Sequence, residues 1–256
     1  MKRKDSLSKP GLYVGTSGWA YGHWQKTFYP DGWPTKDRLK YYAQYFPTTE
    51  VNYSFYHLPH PSTYLKWHHE TPEGFIFAVK VSRFITHVKR LRDVEEAWAK
   101  FIDHALNLKE KLGPLLFQLP PSFSAKREDY NQLQDFLYII TSKKPPQNLR
   151  FAFELRHKSW CNQQIYNLFK KYNIAWVIAD SSRYPKAKSV TADFVYIRMH
   201  GPQTMFGSLY SSEELNELAR DIGEWLSSGL DVFVYFNNDF NGFAIANARE
   251  LKGSMS

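Results

Sequence analysis

Four ionisable residues stand near the C-terminal ends of short apolar runs, and they are the candidates for catalysis: Lys80, Glu154, Asp180 and His200. Carboxylates and a lysine held together in a partly dry pocket shift each other's pKa far enough for general acid-base chemistry. A histidine titrates near neutral pH without such help. The lysine could carry a proton, stabilise negative charge or form a Schiff base, and the residue types do not choose among these roles.

A second set of residues near the same run ends is suited to binding a substrate. It comprises Trp19, Tyr21, Asn52, Tyr56, Gln118, Arg156, His157, Arg198, Asn237 and Asn238. Its two arginines, Arg156 and Arg198, supply positive charge beside that of Lys80. The aromatic residues of the loop 19–24 offer flat faces for a sugar or a base, although a packed aromatic lid is the more common arrangement.

A divalent metal is conceivable from Glu154, Asp180, His200 and Asp239. Lysine and arginine side chains interleaved with these ligands would compete for the carboxylates and repel a cation, so we predict no metal and no cofactor. Cys161 is the only cysteine, which excludes an internal disulfide and a cysteine-based metal cluster.

The apolar runs that carry these residues occur eight times and have the composition of β-strands. They span 12–19, 49–56, 75–82, 115–120, 151–157, 175–180, 194–200 and 231–239. Segments with helical apolar spacing lie between most of them, such as 94–108, 130–140 and 215–226. Eight alternating strand-helix units predict a single (β/α)8 barrel of the TIM type, whose site lies where the strands end.

Strand alternation predicts which side chains enter the barrel. In the fifth run Phe151, Phe153 and Leu155 form an apolar outward face, which turns Glu154 and Arg156 inward. The same reasoning predicts one converging inward set from the eight runs: Ser17, Glu50, Lys80, Gln118, Glu154, Asp180, Arg198 and Asn237. These groups could merely satisfy one another, but so many polar residues in one barrel favour a catalytic pocket.

Lys80 and Glu154 lie two strands apart on the predicted ring, and alternate strands place side chains in a common layer. We therefore predict that they act together, while Arg198 and His200 hold the substrate. The loops after the seventh and eighth runs, 200–202 and 237–242, occupy the usual phosphate-binding position of such barrels. Ordinary turn chemistry explains their composition equally well.

Three further features of the connections bear on structure. Ser211 and Glu214 form a capping-box pattern that predicts a helix start. The segment 181–191 contains Pro185 and little apolar periodicity, which predicts an irregular crossover. The long loops 83–93 and 201–210 are predicted to contact the substrate.

The 256 residues suit one domain, with a flexible basic tail over 1–11 and the barrel over 12–256. No apolar stretch is long enough to span a bilayer, so no membrane association is expected. One cysteine and no secretory signal predict a cytoplasmic location. A net charge of +8 favours anionic partners and leaves nucleic acid open, although a solvated basic surface explains the charge as well. An oligomeric partner is not predicted.

Several short motifs resemble those of the YecE-like family, known as domain of unknown function 72. They are the segments 15–19, 28–30, 50–52 with 55–56, 86–87, 116–121, 154–160, 198–201 and 235–239. The resemblance covers nearly the whole chain and implies an eight-stranded barrel, but it implies no reaction. Two hypotheses follow: an enzyme, without a metal, for a small polar or anionic substrate such as a phosphorylated sugar, or a nucleic-acid-binding protein, with or without endonuclease activity.

Overall fold

Eight parallel strands close into one barrel in chain order, as the sequence predicts. The computed structural model describes residues 10–142 and 149–255. The strands are β1 (Leu12–Ser17), β2 (Thr48–Val51), β3 (Ile76–Lys80), β4 (Leu112–Gln118), β5 (Phe151–Glu154), β6 (Ile174–Asp180), β7 (Phe194–Met199) and β8 (Asp231–Phe236). Most of the predicted tail lies outside the described residues, but Gly11 is already tied to β8, because its amide donates to Asp231 at 2.8 Å.

Helices cover the outside of the barrel. Within the described residues they are α1 (Arg38–Tyr42), α2 (Tyr53–Tyr56), α3 (Pro61–Glu70), α4 (Glu95–Ala105), α5 (Arg127–Ser142), α6 (Gln163–Tyr172), α7 (Ser212–Ser227) and α8 (Phe243–Ser254). The connection between β6 and β7, all of which the structure describes, contains no helix. The irregular crossover predicted around Pro185 is therefore confirmed.

The helices form where the apolar spacing predicts them. Ser211 caps α7, since its hydroxyl accepts from the amide of Glu214 while the Glu214 carboxylate accepts from the amide of Ser211. The same helix buries Leu215 and Ile222 against the barrel. Burial of such an apolar stripe supplies most of the stability of a short helix.

The barrel interior is filled by small and aromatic side chains below the polar end. Alternate residues of the strands, such as Ala78, Leu116, Ala152 and Phe233, form one buried cluster inside the barrel. Residues of the opposite phase pack outward, as when Phe153 meets Phe169 of α6 at a centroid distance of 5.7 Å. The apolar filling leaves the C-terminal ends of the strands as the place where polar side chains gather.

β1 and β2 approach each other unusually closely at Gly15. A Cβ atom there would lie 2.2 Å from the carbonyl oxygen of Thr48, so only glycine fits without a backbone shift. This contact sets the spacing of the two strands that carry Ser17 and Glu50 toward the polar end.

Three runs end three or more residues earlier than the sequence predicts. β2 stops at Val51, and residues 53–56 instead form the short helix α2, which is anchored where Ser54 donates to the carbonyl oxygen of Lys80 at 2.6 Å. β5 ends at Glu154 and β8 at Phe236. Arg156 and Asn237 therefore lie on loops that follow the strands, whereas Tyr56 lies on α2. In the described part of the chain we find no helix with the length and apolar character of a membrane span.

Candidate functional site

A cavity of about 810 Å³ opens at the carboxyl ends of the strands, and we call it the cationic cavity. Eight of the predicted site residues line it: Tyr21, Asn52, Tyr56, Lys80, Gln118, Arg156, Arg198 and Asn237. Its other lining residues are His23, Phe55, Arg83, His87, Phe206, Asp239 and Phe240. Four cationic side chains thus face one carboxylate across the opening.

The floor of the cationic cavity is a buried ion cluster centred on Arg198. Its guanidinium donates to Glu50 through Nε at 3.0 Å and through Nη2 at 2.8 Å, and through Nη1 to Glu154. Glu50 accepts two further hydrogen bonds, from Ser17 and Tyr196, at 2.7 Å each. Arg198 is only 1% exposed, so the cluster depends on mutual pairing to offset its desolvation.

The carboxylate of Glu154 accepts hydrogen bonds from several side chains. Gln118 donates to it at 3.1 Å, and the Nε of Arg156 shares the same carboxylate oxygen. Burial alone would raise the pKa of Glu154, but the charges of Arg156 and Arg198 outweigh it and hold the pKa well below its ordinary range. Glu154 is therefore suited to holding two arginines in place, and it is poorly suited to accepting a proton.

One edge of the Arg156 guanidinium faces the cavity without a hydrogen-bond partner from the described residues. Its Nε is used by Glu154, and its guanidinium lies 4.3 Å from the centre of the Tyr184 ring. Among the described residues, the terminal nitrogens of Arg156 have no hydrogen-bond partner. A guanidinium fixed at one edge and open at the other is arranged to bind an anion.

Lys80 points into the cavity from the end of β3 without a carboxylate partner. Its Nζ lies 4.1 Å from the centre of the Phe55 ring, and it forms no ion pair within the described part of the chain. In particular, no ion pair joins it to Glu154, although we expected the two to act together. Burial and the nearby charge of Arg198 lower the pKa of Lys80 to about 7.

A second ionisable group stands at the rim. Asp239 accepts from the indole of Trp24 at 2.7 Å, and its Oδ2 lies 2.9 Å from the Nε2 of His23. The His23 nitrogen is also 2.9 Å from the main-chain carbonyl of Asp239, where its hydrogen-bond geometry is good. Burial raises the pKa of Asp239 to about 6, although Trp24 and His23 oppose the shift.

His200 is buried and does not line the cavity, contrary to its predicted place beside the substrate. The side-chain amide of Asn237 donates to its Nδ1 at 3.1 Å, which leaves the proton on Nε2, 3.6 Å from a Glu154 oxygen. Burial and the charge of Arg198 lower the pKa of His200. A neutral, buried ring in this position stands beside the Glu154 carboxylate.

The prediction that Asp180 enters the barrel is wrong. Ala175, Val177 and Ala179 occupy the inward positions of β6, so Asp180 faces out toward α7. It accepts from the Tyr210 hydroxyl at 2.9 Å and pairs with Lys186 at 2.8 Å. Asp180 therefore cannot join Lys80 and Glu154 in one reaction.

Three predicted binding residues also lie outside the cationic cavity. Asn238 is buried and donates to Asn247 and to the carbonyl oxygen of Ser208, so it holds two loops together. His157 lies on the surface beside Arg156 and accepts from the amide of Ser159. Trp19 lines a neighbouring cavity instead.

The comparisons with known proteins agree with this barrel. Residues 13–256 match the family described as "Protein of unknown function DUF72". This chain belongs to the DUF72 family. The UPF0759 protein YunF of Bacillus subtilis (strain 168) is 25% identical, over 94% of this chain and 93% of that protein. The UPF0759 protein YecE of Escherichia coli (strain K12) is 25% identical over 57% of this chain, about half of its own length.

A solved structure of the DUF72 family shares the fold. The DUF72 protein TM1631 of Thermotoga maritima MSB8 superposes with a TM-score of 0.84 at 30% identity, covering 96% of this chain and 99% of that one. The names of these DUF72 proteins state no substrate, partner or reaction, and they give the nucleic-acid alternative no support.

Sequence reasoning missed several lining residues of this DUF72 site. Arg83 and Phe206 belong to the two long loops that we expected to contact the substrate, but no pattern singled out either side chain. His23 follows Tyr21 in the aromatic loop, and its pairing with Asp239 joins segments that are 216 positions apart. Such contacts have no local signal.

The arrangement of possible metal ligands in this DUF72 chain bears on whether the site could hold a metal ion. Nowhere in the described ranges do three His, Cys, Asp or Glu side chains come together as metal ligands do. The two carboxylates at the floor of the cationic cavity, Glu50 and Glu154, are already engaged by Arg198. Independence from metal stays a prediction, which elemental analysis of the purified protein tests.

Proposed function

We propose that this protein is a metal-independent enzyme that moves a proton on a small, hydroxylated anionic substrate such as a phosphorylated sugar. One observation carries the proposal. The amine of Lys80 is buried in the cationic cavity without a carboxylate partner, and three arginine side chains line the same space.

The anion-binding part of the proposal rests on how the charges are paired. Glu50 and Glu154 offset the charge of Arg198 and hold one edge of Arg156. The open edge of Arg156, the exposed Arg83 and protonated Lys80 leave a cationic surface around the opening. A phosphate or carboxylate bound there gains charge-assisted hydrogen bonds.

The proton-transfer part rests on Lys80. An amine whose pKa is about 7 exists in both forms near neutral pH, which a general acid-base catalyst requires. Asp239 at the rim, with a pKa of about 6, is a second group able to exchange a proton with the substrate. Glu154 and His200 serve as positioning residues in this scheme, because both are buried and neither lines the cavity. The single cysteine supports a cytoplasmic location for the activity.

Deuterium exchange reports the proton transfer whatever the product is. A panel of sugar phosphates is incubated with the enzyme in D2O and chelator, and NMR follows deuterium incorporation at carbon. At least one sugar phosphate is expected to exchange, and Lys80→Met is expected to slow the exchange by at least about 100-fold, a typical share of general acid-base catalysis. Exchange that survives Lys80→Met, or that stops on chelation, contradicts the proposed chemistry.

Sulfate binding, measured by calorimetry, tests the anion site separately. Arg156→Met is expected to weaken sulfate binding by about tenfold, the equivalent of about 1.4 kcal/mol. Asp180→Asn is the matched control, since Asp180 faces away from the cavity and should leave the affinity unchanged. Equal effects of the two substitutions would contradict the assignment of Arg156.

A further inference from the structure

A second cavity, of about 600 Å³, adjoins the cationic cavity, and we call it the aromatic cavity. Its lining residues are Gly18, Trp19, Ala20, Tyr21, Asn52, Tyr53, Leu58, Pro59, His60, Thr63 and Trp67. Tyr21 and Asn52 line both cavities. The two spaces therefore share one wall.

The walls of the aromatic cavity are held by packing. Trp19 meets Trp67 edge to face, at a centroid distance of 5.2 Å and an interplanar angle of 88°. Trp67 in turn stacks on Phe77 of β3 at 6.3 Å. Both tryptophans are only half-buried, so part of each indole faces the space. Rigid, partly open aromatic walls favour a flat apolar group.

None of the charged residues of the cationic cavity reaches this space. Its lining contains no lysine, arginine, aspartate or glutamate, in contrast to the cavity beside it. His60 lines it, but the ring nitrogen Nδ1 is used by Ser62 at 2.8 Å. The two cavities thus differ in chemistry, one suited to negative charge and the other to an uncharged ring.

Asn52 lies in the wall that the two cavities share. Its Oδ1 atom is buried and accepts no hydrogen bond from the residues that the structure describes. A buried acceptor without a donor costs about 1 to 3 kcal/mol. Asn52 precedes α2 but does not cap it. Because this oxygen is closed off from solvent, the Asn52 side chain has to turn before a donor on a bound molecule can reach it.

From these contacts we propose that the substrate is bipartite: its anionic group occupies the cationic cavity, and a planar, uncharged ring joined to it occupies the aromatic cavity. This inference rests on the proposed function and narrows its substrate class to ring-bearing anions. The aromatic cavity then selects among anions that the arginines alone would bind alike.

The test compares inorganic phosphate with 1-naphthyl phosphate, whose phosphate group is joined to a flat ring. The naphthyl compound is expected to bind at least about tenfold more tightly, a difference of about 1.4 kcal/mol. Thr63→Trp places an indole in the aromatic cavity and should remove this gain, while binding of inorganic phosphate is kept. Lys66→Trp, one turn along α3 and outside the lining, is the matched control and should keep the gain.

The outcomes separate the two proposals. Equal binding of both compounds overturns the bipartite substrate but leaves the anion site standing. A gain that survives Thr63→Trp also overturns it, because the ring then lies elsewhere. Failure of both compounds to bind the unaltered protein overturns the proposed function, and the inference falls with it. Retained phosphate binding by Thr63→Trp shows that this variant is folded.

Discussion

The guanidinium of Arg198 donates two hydrogen bonds to the carboxylate of Glu50, at 3.0 and 2.8 Å. Both side chains are buried inside the barrel. Arg198→Met would leave the carboxylates of Glu50 and Glu154 buried without their shared cation. We expect this substitution to lower the free energy of unfolding by about 3 to 5 kcal/mol, as when one partner of a buried ion pair is removed.

Urea unfolding measures this cost, and Arg83→Met is the control because Arg83 lines the same cavity but is exposed. The control should change stability by no more than about 0.5 kcal/mol. A loss below about 1 kcal/mol for Arg198→Met would show that the ion cluster does not hold the barrel end together.

The carboxylates of the same cluster predict a loss of stability in acid. Burial alone would raise the pKa of Glu154, but Arg156 and Arg198 hold it well below the ordinary value of 4.5. The unfolded chain therefore binds protons at a higher pH than the folded protein does. The stabilisation is complete above the unfolded value and declines as the pH falls below 4.5 toward the folded pKa.

Unfolding free energies measured from about pH 6 down to about pH 3 reveal this decline as a slope. Glu154→Gln removes one of the titrating groups, so its slope below 4.5 should be shallower than that of the parent. The same slope in both proteins would mean that Glu154 does not carry the predicted shift.

Two glycine-to-alanine substitutions, at Gly15 and at Gly223, are expected to differ in their effect on stability. In Gly15→Ala the new Cβ meets the Thr48 carbonyl at 2.2 Å, which forces β1 and β2 apart. We expect a loss of at least about 2 kcal/mol from this strain. Gly223→Ala, in α7, has nothing within 4 Å of the new Cβ and should stabilise the helix by about 0.5 to 1 kcal/mol. Thermal unfolding compares them, and a tolerated Gly15→Ala would refute the close approach.

The sequence predicts the barrel and much of its polar end, because side chains alternate strictly along a strand. The alternation correctly turns Glu154 and Arg198 inward, since apolar neighbours of the opposite phase mark the outer face. It fails for Asp180, whose strand is apolar on both faces, so the pattern holds no information on phase. Strands that are buried on both faces commonly lack an alternation of polar and apolar residues.

The pairing of side chains could not be predicted from strand phase alone. Lys80 was expected to act together with Glu154. Instead, the Glu154 carboxylate accepts a hydrogen bond from Arg198, and the Lys80 amine lies over the Phe55 ring. His200 continues the inward phase of β7, yet it is buried against the ring of Phe206 and does not line the cavity. Which side chains pair, and which are buried, depends on contacts between segments that are far apart in the sequence.

The titration of the Lys80 amine tests the central claim most directly. NMR of lysine side chains, with the Lys80 signal identified by its loss in Lys80→Met, follows the amine across pH in the free protein and with saturating sulfate. We predict a midpoint near 7 in the free protein, which moves upward when the anion binds beside the amine. A midpoint near the ordinary 10.5 that sulfate does not move would contradict an unpaired, buried Lys80 in an anion-binding cavity.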